Sequence, residues 1–504
     1  MGQRKTECRL TSPTYLVISF FALYDDIKSD ACRRKTKPNF RWEGETMNPT
    51  AKPSLLERTF HLTERGTTVR TELIAGATIF LSCASIMVLN PAILSATGMD
   101  VTALFWATAI ASAIGCIWMG LWGNFPFALG PAMGLNSYMA YTVVLGMGLS
   151  WQNGLACVFT SGCVFMLLSA FKVQQHIVDA VPDCVKKAIG AGVGMFIAFC
   201  GFQSAGLVQK SESTLLTIGD LGNPGTVLAM LGIAVTAVLV IHRVKGGILL
   251  GIAFVTILGL FVKNPATGAA YTTLPAALFS FDNPVDALAP TFAKLSYKGM
   301  FSGSLPVVMG TVFAIISFLF VDLFDSLGVF LGVAPKAGLV DENGKTPDAG
   351  KALFVSAGAA AVGAVLGTST VSIYGAESAT GIAAGGRTGL TACSTGLLFL
   401  LALFFSPVFL MIPGIATAPA LIMVGIFMME PLSTLDLSDF TVAMPTFFAV
   451  AAMPFTYNIA YGVLFSMLSY TLCKVATGKA RELSPTMIVL TAVFLGYLVL
   501  DTIF

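Results

Sequence analysis

The chain is predicted to be an all-α polytopic membrane protein, and three observations predict it. First, 55% of its 504 residues are hydrophobic and only 11% are charged, where a soluble chain carries about 25% charge. Its mean hydropathy is +0.81. Second, apolar runs follow one another along the chain, each near the roughly 20 residues that a helix needs to cross a hydrocarbon core. Third, two short segments, one in each half, are broken by glycine or proline and bear strand-prone residues, so short strand-like breaks are expected within the helical bundle.

The same composition excludes several function classes. The formal net charge is +2, and no basic run is interleaved with aromatics, so nucleic acid is not an expected partner. The histidines, His61, His176 and His242, are far apart and lie in no metal-ligand spacing. A histidine-built catalytic site, a metal and an organic cofactor are therefore not expected. Cys83, Cys116, Cys157, Cys163, Cys200 and Cys393 fall in apolar runs and read as small hydrophobes, not as a disulfide framework.

Residues 1–70 form an N-terminal extension ahead of the first strong apolar run, expected on the cytoplasmic side. Within it, residues 1–46 are polar and basic (Arg33, Arg34, Lys35, Lys37, Arg41), and their apolar stretch Tyr15–Tyr24 is too short to span. Met47 opens the polar lead-in to Arg70 and is the expected start, with 1–46 an upstream extension.

The predicted spans then run in order. The first half, residues 71–263, holds Glu72–Leu94, Val101–Trp122, the broken segment Phe125–Leu145, Gly154–Phe171, Ala188–Val208, Val227–Ile241 and Ile248–Val262. A polar connection follows over 264–303. The second half, residues 304–476, holds Leu305–Val333, Ala352–Leu366, the broken segment Ser369–Thr388, Leu390–Ile412, Ile415–Met429, Val442–Pro454 and Ile459–Val475. That makes about fourteen spans by length. Residues 477–504 end in a last apolar run, Met487–Phe504, that either spans, re-enters or lies in the interface. Lys172, Lys186, Lys187, Arg243, Lys245, Lys336, Lys351, Arg387 and Lys474 fall on one side if the N-terminus is cytoplasmic, and the turns after Gly98 and Gly146 carry no Lys or Arg. The expected location is the inner cell membrane.

The halves echo each other at their breaks. One reads Phe125-Pro126-Phe127-Ala128-Leu129-Gly130-Pro131-Ala132-Met133-Gly134 and the other Thr370-Val371-Ser372-Ile373-Tyr374-Gly375-Ala376-Glu377. Paired breaks at corresponding places point to a transporter's midplane site, because polar backbone at that depth survives only inside protein or along a cavity. Two ordinary kinks are the competing reading.

Charged residues inside spans cost about 2.5–3.5 kcal/mol each on insertion scales. Asp322 and Asp325 are spaced i, i+3 and share a helix face. Glu377 falls just past the second break, where a helix start favours a carboxylate. Asp322 and Glu377 are the expected ligands of a polar planar molecule, with one of them taking the coupling proton. Asp325 either shares that role or holds the breaks in place, and a capping carboxylate or a pairing with Arg387 is the structural alternative. Asn136 either hydrogen-bonds the ligand or ties the broken backbone. Gly134, Ala376 and Thr380 line the breaks as candidate contacts. Phe320 is a candidate stacking surface, as are Phe318, Phe324 and Tyr374. Asn90-Pro91 reads as a kink with a satisfying side chain, and Arg387 as the marker of a cytoplasmic end.

These residues carry a resemblance. From about Glu57 to Val475 the chain resembles the AzgA-like purine permeases of the nucleobase–ascorbate transporter family. The matching strings are Thr71-Glu72-Leu73-Ile74-Ala75-Gly76 with Asn90-Pro91-Ala92-Ile93-Leu94, Gly130-Pro131-Ala132-Met133-Gly134-Leu135-Asn136, Phe320-Val321-Asp322-Leu323-Phe324-Asp325, and the long run from Glu377-Ser378-Ala379-Thr380 to Gly389. Ser378 stands where the wider family has Asn. The resemblance implies two inverted repeats of seven spans, a core moving against a gate, and half-strand, half-helix third and tenth spans. It also implies a substrate site at Asp322 and Glu377, proton-coupled uptake of adenine, guanine and hypoxanthine, and often a homodimer. Other expectations stay open: a same-fold carrier of uracil, xanthine or an inorganic anion, which the acidic site residues disfavour, or a membrane-embedded enzyme.

Overall fold

The computed structural model describes residues 54–496 apart from residues 172–180, 340–348 and the short gaps 212, 243, 245, 266–267, 276, 281–282, 302–304, 335–336, 486, 490 and 493–494. The extension 1–46 and most of the last apolar run, 485–504, lie outside the described residues.

Helix starts follow local capping chemistry. Thr68 accepts from the Thr71 amide and opens α1 (Val69–Cys83), which continues as α2 (Ile86–Leu94). Gly98, at φ 85°, ends this first span. Asp100 caps α3 (Val101–Trp118), and Asn124 in a left-handed conformation stops it. The first break follows as β1 (Leu129–Pro131), then α4 (Met133–Ser137), which widens into a π-helix over Tyr138–Gly146. Ser150 caps α5 (Trp151–Ala170), and α6 (Asp183–Ser204) leads to a hairpin of β2 (Val208–Ser211) and β3 (Leu215–Ile218). Asn223 caps α7 (Pro224–Ile241), with Pro224 placed where its missing N–H costs nothing. Next comes α8 (Gly247–Gly259).

The second half repeats the order with α9 (Leu305–Val333), α10 (Ala349–Leu366), β4 (Val371–Ile373), α11 (Gly375–Ala383), α12 (Gly389–Ala402), α13 (Gly414–Met428), α14 (Phe440–Thr456) and α15 (Ile459–Ala476). Among the described residues, eight helices are long and apolar enough to cross a membrane, and four more apolar helices are shorter. With the two broken segments, these fall in the order expected of the predicted spans, which is consistent with two seven-span repeats.

Packing sorts the helices into two groups. Spans 1–4 and 8–11 pack mainly on one another: α5 on α10, α3 on α12, and α1 on α12 and α11. Spans 5–7 and 12–14 form the other group, with α6 against α13 and α14. Close helix approach needs small residues. A side chain at Gly162 of α5 would meet the backbone of Ala357 and Ala361 on α10.

Candidate functional site

The two breaks meet. β1 and β4 pair antiparallel, with Leu129 opposite Ile373, Gly130 opposite Ser372 and Pro131 opposite Val371. Further backbone bonds extend the pairing: Ala132 N–H donates to the Thr370 carbonyl at 2.8 Å and Tyr374 N–H to the Ala128 carbonyl at 2.9 Å. An open sheet edge at membrane depth needs partners, and side chains supply them. The Cys116 thiol accepts from Leu129 N–H at 3.2 Å and donates to the Leu129 carbonyl at 3.3 Å. Ser378 Oγ accepts from Ala128 N–H at 3.0 Å, and the Tyr374 hydroxyl donates to the Pro131 carbonyl at 2.9 Å. Phe125 and Phe127 stack, and both take the edge of Phe330, which pins the entry to the break against α9.

From this small sheet the chain turns straight into α4 on one side and α11 on the other, so two helix N-termini, each with a partial positive charge, start at the break. Three carboxylates accompany them. Glu377 lies in the first turn of α11. Asp322 and Asp325 come from α9. Asp322 is buried and accepts from the Ser326 hydroxyl at 3.2 Å, which in turn bonds Ser356 at 2.9 Å. Asp325 accepts from Ser372, in the middle of β4, at 3.4 Å. Asp325 lies within electrostatic reach of both Asp322 and Glu377. Carboxylate acceptors on Glu377 and Asp325 thus accompany helix ends rich in N–H groups.

Residues 70–465 match the family described as the permease family. The chain belongs to the permease family. As a permease it is 39% identical over 439 residues to the adenine permease AdeQ of Escherichia coli, covering 87% of this chain and 95% of that one. It is 41% identical over 451 residues to the guanine/hypoxanthine permease PbuG of Bacillus subtilis, covering 87% of this chain and 98% of that one. Among solved structures, the transmembrane domain of the cyanobacterial bicarbonate transporter BicA superposes with a TM-score of 0.55 at 13% identity, over 80% of this chain and 97% of that one. The murine anion transporter Slc26a9 in its inward-facing state gives 0.59 at 10% identity, over 94% of this chain and 77% of that one. At those identities the likeness concerns the fold.

The permease's remaining candidate residues divide clearly. Asn136 is fully buried and donates to Asn90 Oδ1 at 2.7 Å, while Asn90 Nδ2 donates to Thr108 at 2.6 Å and Thr368 at 2.7 Å. Asn90 therefore serves its neighbours' polar groups, not the kink at Pro91. Gly134 sits where a side chain would strike Val193 of α6. Thr380 donates to the Glu377 carbonyl at 2.6 Å and pairs with Ser82 of α1 at 3.1 Å. Phe320 is buried, and Phe318 packs edge-on against Tyr138 at 4.9 Å. The side chains of Ala376 and Phe324 lie outside the described residues.

One structural alternative falls away, and one buried thiol does more than pack. Among the described residues Glu377 forms no ion pair with Arg387, whose Nη1 instead donates to the Ile382 and Gly386 carbonyls at 2.8 and 2.9 Å and closes the end of α11. Cys116 is not merely a small hydrophobe, since its thiol serves both polar groups of Leu129. One residue was missed as a functional element. Glu72, in the first turn of α1, is fully buried and accepts from the amides of Arg387, Thr388 and Thr391 and from the Thr388 and Thr391 hydroxyls. Its only sequence signal was its place in a matching string.

Proposed function

We propose that this permease is a secondary active transporter that imports the purine bases adenine, guanine and hypoxanthine by proton symport. The observation that carries the reading is the antiparallel pairing of the breaks of spans 3 and 10, with Glu377 in the first turn of α11 and Asp325 bonded to Ser372 of β4. A purine edge presents ring N–H groups, which a carboxylate accepts, and ring nitrogens or a carbonyl, which helix N-terminal amides satisfy. Relatives named adenine permease and guanine/hypoxanthine permease, alike over most of the chain, support that substrate class. A buried carboxyl that exchanges a proton as its ligand leaves couples the gradient to the base without an organic cofactor or a metal.

In this reading Asp322 and Glu377 bind the base. Asp325 tunes them and holds β4 through Ser372. Asn136 ties the breaks through its amide N–H and offers its Oδ1 to the base, Gly134 and Thr380 position the breaks, and Phe320 completes the wall. Residues 71–263 and 304–476 are the two repeats, the N-terminus faces the cytoplasm of the inner membrane, and the working unit is a homodimer. A carrier of another nucleobase, uracil or xanthine, is the second reading, since the same acceptor cluster suits any ring N–H edge. Catalysis is not part of the proposal.

The deciding measurement is uptake of radiolabelled hypoxanthine, guanine and adenine into uptake-deficient cells, with and without a protonophore, by wild type, Asp322→Asn and Glu377→Gln. Protonophore-sensitive purine uptake, lost in both variants at normal membrane levels, is expected. Absence of purine uptake by an inserted wild type overturns the substrate; uptake indifferent to the protonophore overturns the coupling.

A further inference from the structure

Beyond the carboxylates, span 3 leads to a second concavity. Past Asn136 the helix widens into its π-helical stretch, and Tyr141 on that stretch lines, together with the turn between α14 and α15, a cavity of about 770 Å³. Tyr457, Asn458 and Tyr461 complete the aromatic part of the lining, and neither Asp322, Asp325 nor Glu377 is part of it. The volume is that of a small-molecule site. None of the nine lining residues carries a charge.

The lining at Tyr457 is held firmly. Tyr457 has a left-handed backbone, φ 54° and ψ 30°, an unfavourable conformation for a bulky residue that persists only where its surroundings enforce it. Its hydroxyl donates to Gln203 Oε1 at 2.6 Å, and its carbonyl accepts from Thr142 Oγ1 at 2.9 Å. Its ring takes edge-on contacts from Phe196 at 5.4 Å and Phe199 at 5.8 Å. The lining at Tyr141 differs. Tyr141 meets Tyr457 edge-to-face at 5.7 Å, yet its hydroxyl has no hydrogen-bond partner among the described residues. Three tyrosine rings, an unengaged phenol and a carboxamide, with no charge, suit a flat neutral molecule with polar edges. An anion would find no cation here, and a metal ion no carboxylate or imidazole.

We propose that this cavity is a second, peripheral binding site for a neutral planar heteroaromatic base, held by stacking on Tyr141 and Tyr461 between span 3 and the junction of spans 13 and 14. The site retains the permeant at the mouth of the bundle before or after it passes the carboxylates. The Thr142–Tyr457 bond joins the two helix groups at that point, so occupancy and the closure of the mouth share one wall. This proposal rests on the purine reading above.

Stacking of a base on an aromatic ring strengthens its binding by about tenfold, so Tyr141→Leu and Tyr461→Leu are expected to raise the uptake KM for hypoxanthine by about that factor each while leaving Vmax little changed. A packing role alone would lower Vmax or membrane level and leave KM in place, and that result overturns the proposal. Photolabelling with 8-azidoadenine gives a readout in the intact protein. Label is expected on peptides containing Tyr141, Tyr457 or Tyr461, competed by hypoxanthine and retained in Glu377→Gln, whose own site is impaired. A wild type that takes up purines but shows no competed label on those peptides overturns the second site alone. Competition by tetramethylammonium as strong as that by hypoxanthine also overturns it, in favour of a cation held over the rings. A wild type that neither takes up purine nor is labelled overturns both readings.

Discussion

The Thr391 hydroxyl donates to a Glu72 carboxylate oxygen at 2.6 Å, joining the first turn of span 1 to the first turn of span 11. The same carboxylate takes the amides of Arg387, Thr388 and Thr391. The loop that carries α11 away from the paired breaks is thus fastened to span 1. Removing one acceptor strands several buried donors, each costing about 1–3 kcal/mol. Glu72→Ala is expected to lower the thermal midpoint of the detergent-solubilised protein markedly, with Glu72→Gln intermediate because one oxygen remains. Fluorescence-detected size exclusion after heating checks this. Equal midpoints for wild type and Glu72→Ala would show that the network contributes nothing.

Gly389 stands against the backbone of Gly120, where span 11 begins beside the end of span 2, and its amide donates to Asn124 Oδ1 at 2.7 Å. A side chain there would strike the Gly120 carbonyl, a backbone group with nowhere to move. Gly389→Ala is expected to destabilise by about 1–3 kcal/mol, the usual range for overpacking. Gly66, with open space around its missing side chain but a positive φ of 63°, serves as the contrast. Gly66→Ala is expected to cost less in the same melting assay, and the reverse order would contradict the close approach.

The structure gives the Ser378 hydroxyl a defined task, accepting from Ala128 N–H at 3.0 Å at the edge of β1. Ser378→Ala leaves that amide unpaired inside the protein, at a cost of about 1–3 kcal/mol. Faster hydrogen exchange in the peptide spanning residues 128–131, together with reduced uptake, is the expected result. Unchanged exchange would mean that the strand pairing alone protects this backbone.

The parts that the sequence shows and the parts it hides follow from how far apart the partners are. Spans are local, so apolar runs placed them. The breaks are local too, since Gly130-Pro131 and Gly375 interrupt otherwise apolar helices. Asp322 and Glu377 are conspicuous because a carboxylate within such runs is rare. Glu72 escaped because it sits at the polar entry to a span, where an acidic residue in a first turn is ordinary. Its partners are more than 300 positions away. The Cys116 thiol likewise meets Leu129 through a turn that no apolar pattern encodes. Phe318 and Tyr374 read as stacking surfaces by type alone, but packing against Tyr138 and a bond to Pro131 already engage them.

Asn90 and Asn136 provide the last test, because the two roles open to Asn136 predict different couplings. Asn136 donates to Asn90, and Asn90 serves Thr108 and Thr368, so spans 1, 2 and 3 and the turn before β4 meet through one buried carboxamide. Asn136 Oδ1, by contrast, is buried with no hydrogen-bond partner among the described residues. If Asn136 only ties the breaks, Asn90→Ala and Asn136→Ala act on one network, and the double variant is expected to melt little below Asn90→Ala alone, with a coupling of about 0.5–3 kcal/mol. If its oxygen also accepts from a base, Asn136→Asp, which keeps an acceptor, retains more affinity than Asn136→Ala at a similar midpoint. We expect both effects: coupling in the melting cycle, because the donor side of the amide is taken, and a KM difference between Asp and Ala, because the acceptor side is not. Additive melting would break the network, and equal KM values would confine Asn136 to holding the break.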